Sequence, residues 1–347
     1  MKTRSFKIFL ILTAILSISL TTKAEFTKKV YKSWPVKNVS SFQVENKFGN
    51  VNFINTRDDS VTIDIMISIK GLSESRARMM ASGIRFEFSN EDGKLKAKTI
   101  FDNDFKGEND FSIIYTVNIP VNRYLDVKNK FGNVTLGDLT TGGNFDIAYG
   151  NIQGRTLAAS GDKSIYLELK YGNANFEKIN TLKADISYSK FNAQAIGKAN
   201  FDTKYSTVII QKCMDMKAES EYDSYSINNT ENVKIESKFT GFKFDELLNS
   251  MDINTEYGDI FVKHVSKDFN KIKVDNRFGN IRIGIDSKAN YNLSSDTQFC
   301  EIQFPKGDIR KSIKDDFRKY YEVRIGNENP SADVKILSKH GNVDLME

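Results

Sequence analysis

The chain has 347 residues, of which 39% are hydrophobic and 27% are charged. Its formal net charge of +5 comes mainly from residues 1–24, which carry four basic residues and no acidic one, so residues 25–347 hold 46 basic and 45 acidic residues. A nearly neutral chain of mixed charge gives no electrostatic case for binding nucleic acid.

The N-terminal segment has the pattern of a secretory signal. Lys2 and Arg4 form a basic beginning, an apolar stretch follows at residues 9–20, and small residues precede a cleavage point after Ala24. The stretch is shorter than the roughly 20 residues of a membrane-spanning helix. We therefore predict a signal peptide over residues 1–24, export through the Sec pathway and no transmembrane segment in the mature chain.

A four-residue motif recurs along the rest of the chain. It consists of an aromatic residue, a small or polar residue, usually Asn or Asp, and an apolar residue. From Phe131 to Phe299 successive copies are 17 to 22 residues apart, and the step of 41 to His340 fits two repeats with an insertion. The copies begin at Phe48, Phe131, Tyr149, Tyr171, Tyr188, Tyr205, Tyr222, Phe239, Tyr257, Phe278, Phe299 and His340.

The flanks of the motif alternate between apolar and polar residues. The position four before the aromatic is mostly apolar, as at Val44 and Phe201, and the position two before it is mostly polar or small, as at Asn46 and Thr203. Period two is typical of strands with one buried face. Because Gly and Asn tolerate φ > 0, the Gly-Asn step of the motif predicts a corner in the chain.

The near-constant spacing favours a coil over a series of hairpins. In a coil each strand stacks on its equivalent one turn later, as a parallel strand about 4.8 Å away. The sequence therefore predicts an all-β, single-stranded-coil β-solenoid, parallel β-helix-like, with repeats of about 17–22 residues. The motif aromatics would form a column, which we predict to be part of the core, the alternative being an exposed stripe that stacks against sugar rings.

Between the first two copies of the motif lies a long segment without it. Residues 73–81 predict a short helix with Ser73 as its N-cap. An open solenoid end would expose unpaired backbone, so we predict that this β-rich segment caps the N-terminal end of the coil. A strand is predicted at residues 61–69, and antiparallel strands are predicted at residues 84–88, 95–100 and 111–119.

These features divide the chain into three parts. Residues 1–24 are the predicted signal peptide, residues 25–125 hold the first rung and the cap, and residues 126–347 hold the solenoid repeats. A second insertion at residues 305–330 mixes basic and acidic residues. It predicts a solvated hairpin or short helix, with a basic docking patch as the alternative.

The sequence lacks the motifs that carry chemistry. It has no Gly-x-Ser-x-Gly, His-Glu-x-x-His, Cys-x-x-Cys or phosphate-binding loop, and His264 and His340 are too few for a His-rich metal site. Acidic residues are plentiful, but no acidic pair stands out as recurring on one face of the coil. Cys213 and Cys300 are predicted to be isolated buried thiols, although they could pair in an oxidising compartment. We therefore predict no catalytic, cofactor-binding or metal-binding residues and no enzyme activity.

Residues 46–51, their copy at 129–134, the helix-bearing insertion and the stretch 115–120 together resemble the adhesin-like β-solenoid domains of exported proteins from Bacteroidetes-type bacteria. The resemblance covers nearly the whole mature chain and implies the fold, and it brings no catalytic residues with it. The chain departs from the pattern in the middle repeats, where Ser, Asp or Thr replaces the Gly of the motif.

We expect an exported, non-catalytic envelope protein that is an adhesin-like binding or structural module, with an envelope glycan or another envelope protein as its partner. One alternative is a carbohydrate-active β-helix enzyme, which would need a groove with two or three carboxylates. Another is a periplasmic accessory or sensing component. The chain ends four residues after the last motif and leaves no room for a translocating barrel, which favours the periplasm over the cell surface.

Overall fold

The computed structural model describes residues 25–105, 107, 110–161 and 163–347. The predicted signal peptide lies outside the described residues. Within them the chain is almost entirely β-structure with one α-helix, as the sequence predicts. No helix in this part of the chain is long and apolar enough to cross a membrane.

The first part of the chain contains seven strands and helix α1. The helix predicted at residues 73–81 is confirmed as α1, Glu74–Ser82, with Ser73 at the N-cap position, although the Ser73 side chain makes no capping hydrogen bond. A single 3-10 turn, Val36–Asn38, follows the first strand. The strands are β1 Phe26–Pro35, β2 Ser41–Lys47, β3 Val51–Asn55, β4 Ser60–Ile69, β5 Ile84–Glu91, β6 Lys94–Phe101 and β7 Phe111–Ile119.

The antiparallel pairing predicted in this segment is confirmed, and parallel pairings that were not predicted join it. Strands β4 and β7 are antiparallel to each other, as are β5 and β6. Strands β6 and β7 also pair in parallel with β2 and β3, and β1 pairs with β4 as an outer strand. The segment therefore extends both sheets at the end where the first motif copy lies.

The middle of the chain supplies the regular turns of the coil. The last five of its strands are 15 or 16 residues long, because each passes around an edge of the coil from one sheet to the other. The strands are β8 Tyr124–Lys130, β9 Val134–Thr135, β10 Gly143–Ala148, β11 Ile152–Leu157, β12 Ile165–Lys170, β13 Asn173–Ser187, β14 Lys190–Lys204, β15 Thr207–Glu221, β16 Ser224–Lys238 and β17 Gly241–Glu256.

Nine further strands complete the chain. Strands β23 and β24 form an antiparallel hairpin inside the second insertion, so the solvated hairpin predicted there is confirmed. The strands are β18 Ile260–Val265, β19 Lys271–Arg277, β20 Ile281–Ile285, β21 Tyr291–Gln298, β22 Ile302–Gln303, β23 Asp308–Lys314, β24 Arg318–Ile325, β25 Ala332–Lys339 and β26 Val343–Met346.

Each rung contributes one segment to each of two facing sheets. We call the sheet formed by the segments after the motif aromatics the front sheet and the sheet formed by the segments before them the back sheet. Stacked segments are parallel and in register, so that Ala174 pairs with Phe191 in front and Ala184 with Phe201 behind. The predicted coil is therefore confirmed, and hairpins between successive repeats are excluded in this region.

The core lies between the two sheets and follows from the period-two pattern. The residue four before an aromatic and the apolar residue three after it both point inward and are almost completely buried in most rungs, as at Phe201 and Val208. Burying such a side chain contributes about 1.5–3 kcal/mol. The polar column two before the aromatic is also buried and bonded, since Asn46 Nδ2 donates to Asn129 Oδ1 over 3.2 Å.

At the C-terminal end the order of the rungs departs from the order of the chain. Strand β25 lies between β19 and β21, and β26 lies between β20 and β22. The rung of His340 is therefore inserted between those of Phe278 and Phe299. The expectation that every rung stacks on the one before it is wrong here. The free edge of β21 is paired with β24 of the hairpin, in antiparallel orientation.

Candidate ligand-binding surface

The motif aromatics form an exposed ladder along one edge of the coil. Neighbouring ring centroids are 4.7–5.3 Å apart, and neighbouring ring planes differ by only 2–14°. Ten of the twelve rings are 42–52% exposed, so the prediction that the aromatics belong to the core is wrong. In spatial order the ladder consists of Phe48, Phe131, Tyr149, Tyr171, Tyr188, Tyr205, Tyr222, Phe239, Tyr257, Phe278, His340 and Phe299.

Backbone conformation turns these rings outward. Every ladder residue has a φ of 51–65°, the left-handed region, so the corner of each rung lies at the aromatic itself and not at the Gly-Asn step as predicted. A non-glycine residue pays about 1–2 kcal/mol for this conformation. Stacking of an aromatic pair contributes about 0.5–1.5 kcal/mol of stabilisation. Because Gly or Asn would make the corner more easily, stability alone does not explain the rings.

The ladder offers ring edges rather than ring faces. Each face is covered by the next ring, and the tyrosines add hydroxyl groups to the edge. At one end Phe48 packs against Phe101 and Phe111, with centroids 5.8 and 5.3 Å away. At the other end Phe317 from the tip of the hairpin packs against Phe299 at 5.3 Å. A ligand would therefore lie along the ladder, in contact with its edges.

Two kinds of corner support the ladder. In the Gly corners the third motif residue forms a ladder of its own, in which the Asn133 backbone N–H donates to Asn50 Oδ1 and the Asn151 N–H donates to Asn133 Oδ1, both over 2.9 Å. In the middle rungs the second motif residue takes this role, since the Ser189 N–H donates to Ser206 Oγ over 3.2 Å. The Ser, Asp and Thr replacements thus form a distinct corner in place of the Gly corner.

Asp223 is the one buried carboxylate of these corners among the described residues. It accepts hydrogen bonds from the Ser206 and Glu221 backbone N–H groups and from the Thr203 and Ser220 hydroxyls. Loss of hydration on burial raises the pKa of Asp223 above the ordinary 3.8. The hydrogen bonds act in the opposite direction, but their effect is smaller.

A prediction about pH follows for Asp223. A carboxyl group whose pKa is raised by folding stabilises the folded state most below its unfolded pKa, and this contribution is lost as the pH rises through the folded pKa. We expect the melting temperature of Asp223→Asn, relative to wild type, to rise as the pH increases from about 4 to about 7. Thermal unfolding followed by circular dichroism at several pH values measures this difference. A constant difference would contradict the raised pKa.

An uncharged polar face lies beside the ladder on the outer side of the front sheet. Its central column is in register from strand to strand and contains Asn52, Thr135, Gln153, Asn175 and Asn192. A shallow groove of about 570 Å³ follows this face, and of its thirteen lining residues five are Asn or Gln and only two are charged. Amides donate and accept hydrogen bonds without carrying charge, so the face suits a neutral polar ligand.

The outer side of the back sheet carries a column of carboxylates. The sequence-based statement that no acidic pair recurs on one face is wrong, because six acidic residues pair in register on successive rungs. Aligning the repeats on their aromatics would have found them, since each lies three positions before a ladder residue. The column consists of Asp146, Glu168, Asp185, Asp202, Glu219 and Glu236.

Charge repulsion within this column is partly balanced by lysines. The pKa of Asp185 is raised. Partial loss of hydration is the largest cause, and the negative charges of Asp202 and Glu168 are the next. Lys170 forms an ion pair with Glu168. In the described part of the chain, no group of three or more His, Cys, Asp or Glu side chains is placed to hold a metal ion.

The remaining reactive side chains are scattered. Cys213 and Cys300 are unpaired; Cys213 is buried, which raises its pKa to about 12, whereas Cys300 is only half-buried and not buried as predicted. His264 lies 4.0 Å from Asp286, far along the chain from His340, which is part of the ladder. These residues do not form a common site.

Several solved structures are similar to the chain. A candidate adhesin from Parabacteroides distasonis is 10% identical, with 74% of this chain and 96% of that chain covered and a TM-score of 0.36. A candidate lipid-binding protein from the same organism is 13% identical, with 73% and 95% covered and a TM-score of 0.37. A candidate adhesin from Bacteroides fragilis is 14% identical, with 73% and 96% covered and a TM-score of 0.31. No curated protein matches the chain.

The family comparison agrees with the two-sheet coil and with the resemblance seen in the repeated motif. The family described as Toastrack DUF4097 matches residues 39–346, from the beginning of the first rung to the last strand. The match includes the capping segment, all twelve copies of the motif and the inserted hairpin. The chain therefore belongs to the Toastrack DUF4097 family.

Proposed function

We propose that the protein is an exported, non-catalytic envelope protein, an adhesin-like binding module that holds a neutral glycan chain along its aromatic edge. The observation that carries this proposal is the ladder of twelve rings, most of them about half exposed, beside the amide-rich face of the front sheet. Both features run parallel to the axis of the coil. They favour an extended polymer as the ligand over a small molecule.

The chemistry of this surface matches that of a sugar polymer. Ring edges and tyrosine hydroxyls contact the apolar and polar sides of a sugar, and amides such as Gln153 and Asn175 pair with its hydroxyl groups. The groove of the front sheet has few charges to attract an ionic ligand, whereas lysines such as Lys47 and Lys204 lie beside the ladder rings. At the 4.8 Å spacing of parallel strands the ladder is on the order of 50 Å long, so many weak contacts add up along one chain.

Replacing three neighbouring rings tests the role of the ladder. Asn tolerates the left-handed conformation best among the other residues, so Tyr171→Asn, Tyr188→Asn and Tyr205→Asn together keep the corners and remove the rings. We expect the triple variant to bind about tenfold more weakly or worse, from roughly 0.5 kcal/mol per lost ring contact. Retardation in gels that contain dextran, mannan or xylan measures the affinity.

A matched control removes three polar side chains from the opposite face. Gln43→Ala, Asn144→Ala and Asn292→Ala lie on the outer side of the back sheet, away from the ladder and outside the grooves of that sheet. This variant is expected to be retarded like the wild type. If the wild type ignores every neutral polysaccharide, or if the ladder variant is retarded equally, the glycan proposal is wrong and another envelope protein becomes the partner to seek by pulldown.

The carboxylate column favours a second candidate function, the cleavage of a polysaccharide. Adjacent carboxylates one strand apart are close to the roughly 5–5.5 Å separation of retaining glycosidases. Asp202, Glu219 and Glu236 line a groove of about 380 Å³ together with Lys204 and Lys238. Release of reducing ends from a polysaccharide, abolished by Asp202→Asn with Glu219→Gln, would replace the binding proposal with an enzyme.

The location of the protein decides between adhesion and a periplasmic accessory or sensing role. Digestion by an external protease in intact cells would support surface display and adhesion. Protection until the outer membrane is opened would support the periplasm and a role in envelope maintenance or sensing. The predicted export requires that the mature protein begins after Ala24, which N-terminal sequencing of the purified protein tests.

A further inference from the structure

A lysine-rich groove follows the edge of the coil opposite the ladder. Here each rung passes from the front sheet to the back sheet, and three consecutive residues per rung form the wall, floor and wall of a channel. The channel crosses the rungs of β13 to β17 and has a volume of about 580 Å³. Its floor follows the backbone of an in-register column whose apolar side chains are buried in the core, namely Leu182, Ala199, Met216, Val233 and Met251.

The walls of this groove are strongly basic. Five lysines line it against two aspartates, although the chain as a whole is nearly balanced in charge. None of the five forms an ion pair with a carboxylate of the described residues. The lysines are Lys183, Lys198, Lys217, Lys234 and Lys271.

The two acidic residues of the groove are already engaged. Asp252 forms an ion pair with Lys273, which is outside the groove, at 3.1 Å. Asp215 accepts a hydrogen bond from Asn232 Nδ2 over 2.8 Å. Asp215 keeps its charge and lies in register beside Lys198, so it offsets part of the positive charge. With five lysines against two aspartates, the lining residues of the groove still carry a net positive charge.

We propose that this groove binds a linear polyanion, such as a polysaccharide that carries carboxylate or sulfate groups, along the axis of the coil. Lys217 and Lys234 are in register on adjacent rungs, so their ammonium groups recur at about the 4.8 Å strand spacing. A chain with regularly placed negative groups can contact several of them at once. The methylene stems of the lysines pack against the uncharged parts of the ligand.

This site is independent of the proposed glycan surface. The ladder and the amide face lie on the edge and face where the front sheet begins, whereas the lysine groove lies where the front sheet ends. The two surfaces also differ in charge, since only two of the thirteen residues that line the front groove are charged. One coil would thus hold a neutral polymer on one edge and an acidic polymer on the other.

Dextran sulfate and unmodified dextran are the probes that separate charge from sugar recognition. We expect the intact mature protein to bind dextran sulfate, and we expect Lys198→Glu, Lys217→Glu and Lys234→Glu together to weaken this binding about tenfold or more. Binding should also weaken as the salt concentration rises from about 0.05 M to about 0.5 M, because salt screens exposed charges. Isothermal titration calorimetry measures both effects.

A second variant with the same change in net charge is the control. Lys29→Glu, Lys96→Glu and Lys288→Glu change three exposed lysines outside the groove. We expect this control to bind dextran sulfate like the wild type, and we expect Lys198→Arg, Lys217→Arg and Lys234→Arg to retain binding. Equal weakening by the control would mean that net charge alone attracts the polymer and would overturn the site. Unchanged binding by the groove variant would overturn it as well, whatever the result for neutral polysaccharides.

Discussion

Deleting residues 332–347 is expected to disrupt the C-terminal end of the solenoid rather than shorten it by one rung. The deletion removes β25 and β26 from between two other rungs and leaves unpaired edges on both of their neighbours. It also removes five buried apolar side chains, Ala332, Val334, Ile336, Val343 and Leu345. At about 1.5–3 kcal/mol for each larger one, the loss approaches the roughly 5–15 kcal/mol that stabilises a typical domain.

Limited proteolysis and thermal unfolding measure this effect. We expect rapid cleavage within residues 287–331, a strongly lowered melting temperature and poor solubility from the exposed edges. Two substitutions in β25 serve as matched variants, since Ile336 is completely buried and the neighbouring Lys335 is exposed. Ile336→Asp should reproduce the loss and Lys335→Asp should not. If β21 instead pairs directly with β19, the shortened protein will resist protease, and the inserted rung will have no essential role.

The second large effect is expected from Gly150→Ala, in a corner of the ladder. A Cβ atom at Gly150 would lie 2.0 Å from the backbone carbonyl oxygen of Gly132 on the neighbouring rung, and this contact cannot be relieved without moving a strand. Overpacking of this kind usually costs 1–3 kcal/mol, and because backbone is involved we expect about 3 kcal/mol or more. Urea unfolding measures the free energy difference.

Gly241→Ala is the matched control for this substitution. Gly241 is the third residue of a motif copy, and a Cβ atom there would meet nothing within 4 Å. Its effect on the free energy of unfolding should stay within about 0.5 kcal/mol, as for an ordinary surface position. Equal stability of the two variants would mean that neighbouring corners can separate freely, which would contradict the close stacking of the rungs.

The middle rungs show why side chains are accepted there but not at Gly150. At Ser189 the carbonyl oxygen of the preceding corner, Gly172, accepts a hydrogen bond from the Lys190 backbone N–H over 3.0 Å. The Ser189 hydroxyl in turn accepts from the Gly172 N–H over 3.1 Å. A side chain at this position therefore requires a different hydrogen-bonding pattern through the whole run of neighbouring corners, and a single substitution among Gly corners does not supply it.

The sequence predicts the fold well because the fold depends on local patterns. Alternation around residues such as Val44 and Val208 identifies the buried faces, and the spacing of the motif identifies the coil. The orientation of the aromatics is missed because it depends on the sign of one φ angle per rung. Hydrophobicity favours the core for a residue such as Tyr205, whereas a left-handed corner turns the ring outward.

Long-range features of the candidate sites are predicted less well. Nothing in the segment around His340 shows that it inserts between two earlier rungs, because that order is decided by which strands pair. The lysine groove depends on the bend within strands such as β15, which the alternation does not reveal. The carboxylate column could be predicted from the sequence, because Asp202 and Glu219 occupy the same position relative to their aromatics. The prediction requires the repeats to be aligned and compared position by position.

The middle rungs of the coil are equally spaced, so its surfaces repeat at a fixed interval. Tyr188, Tyr205, Tyr222 and Phe239 follow one another at intervals of 17 residues, and each interval adds one rung to the coil. Duplication or loss of such a unit changes the reach of the aromatic edge, the carboxylate column and the lysine groove by the same 4.8 Å step. On the proposed binding functions, a chain with more or fewer rungs would match a longer or shorter polymer without any change in the chemistry of contact.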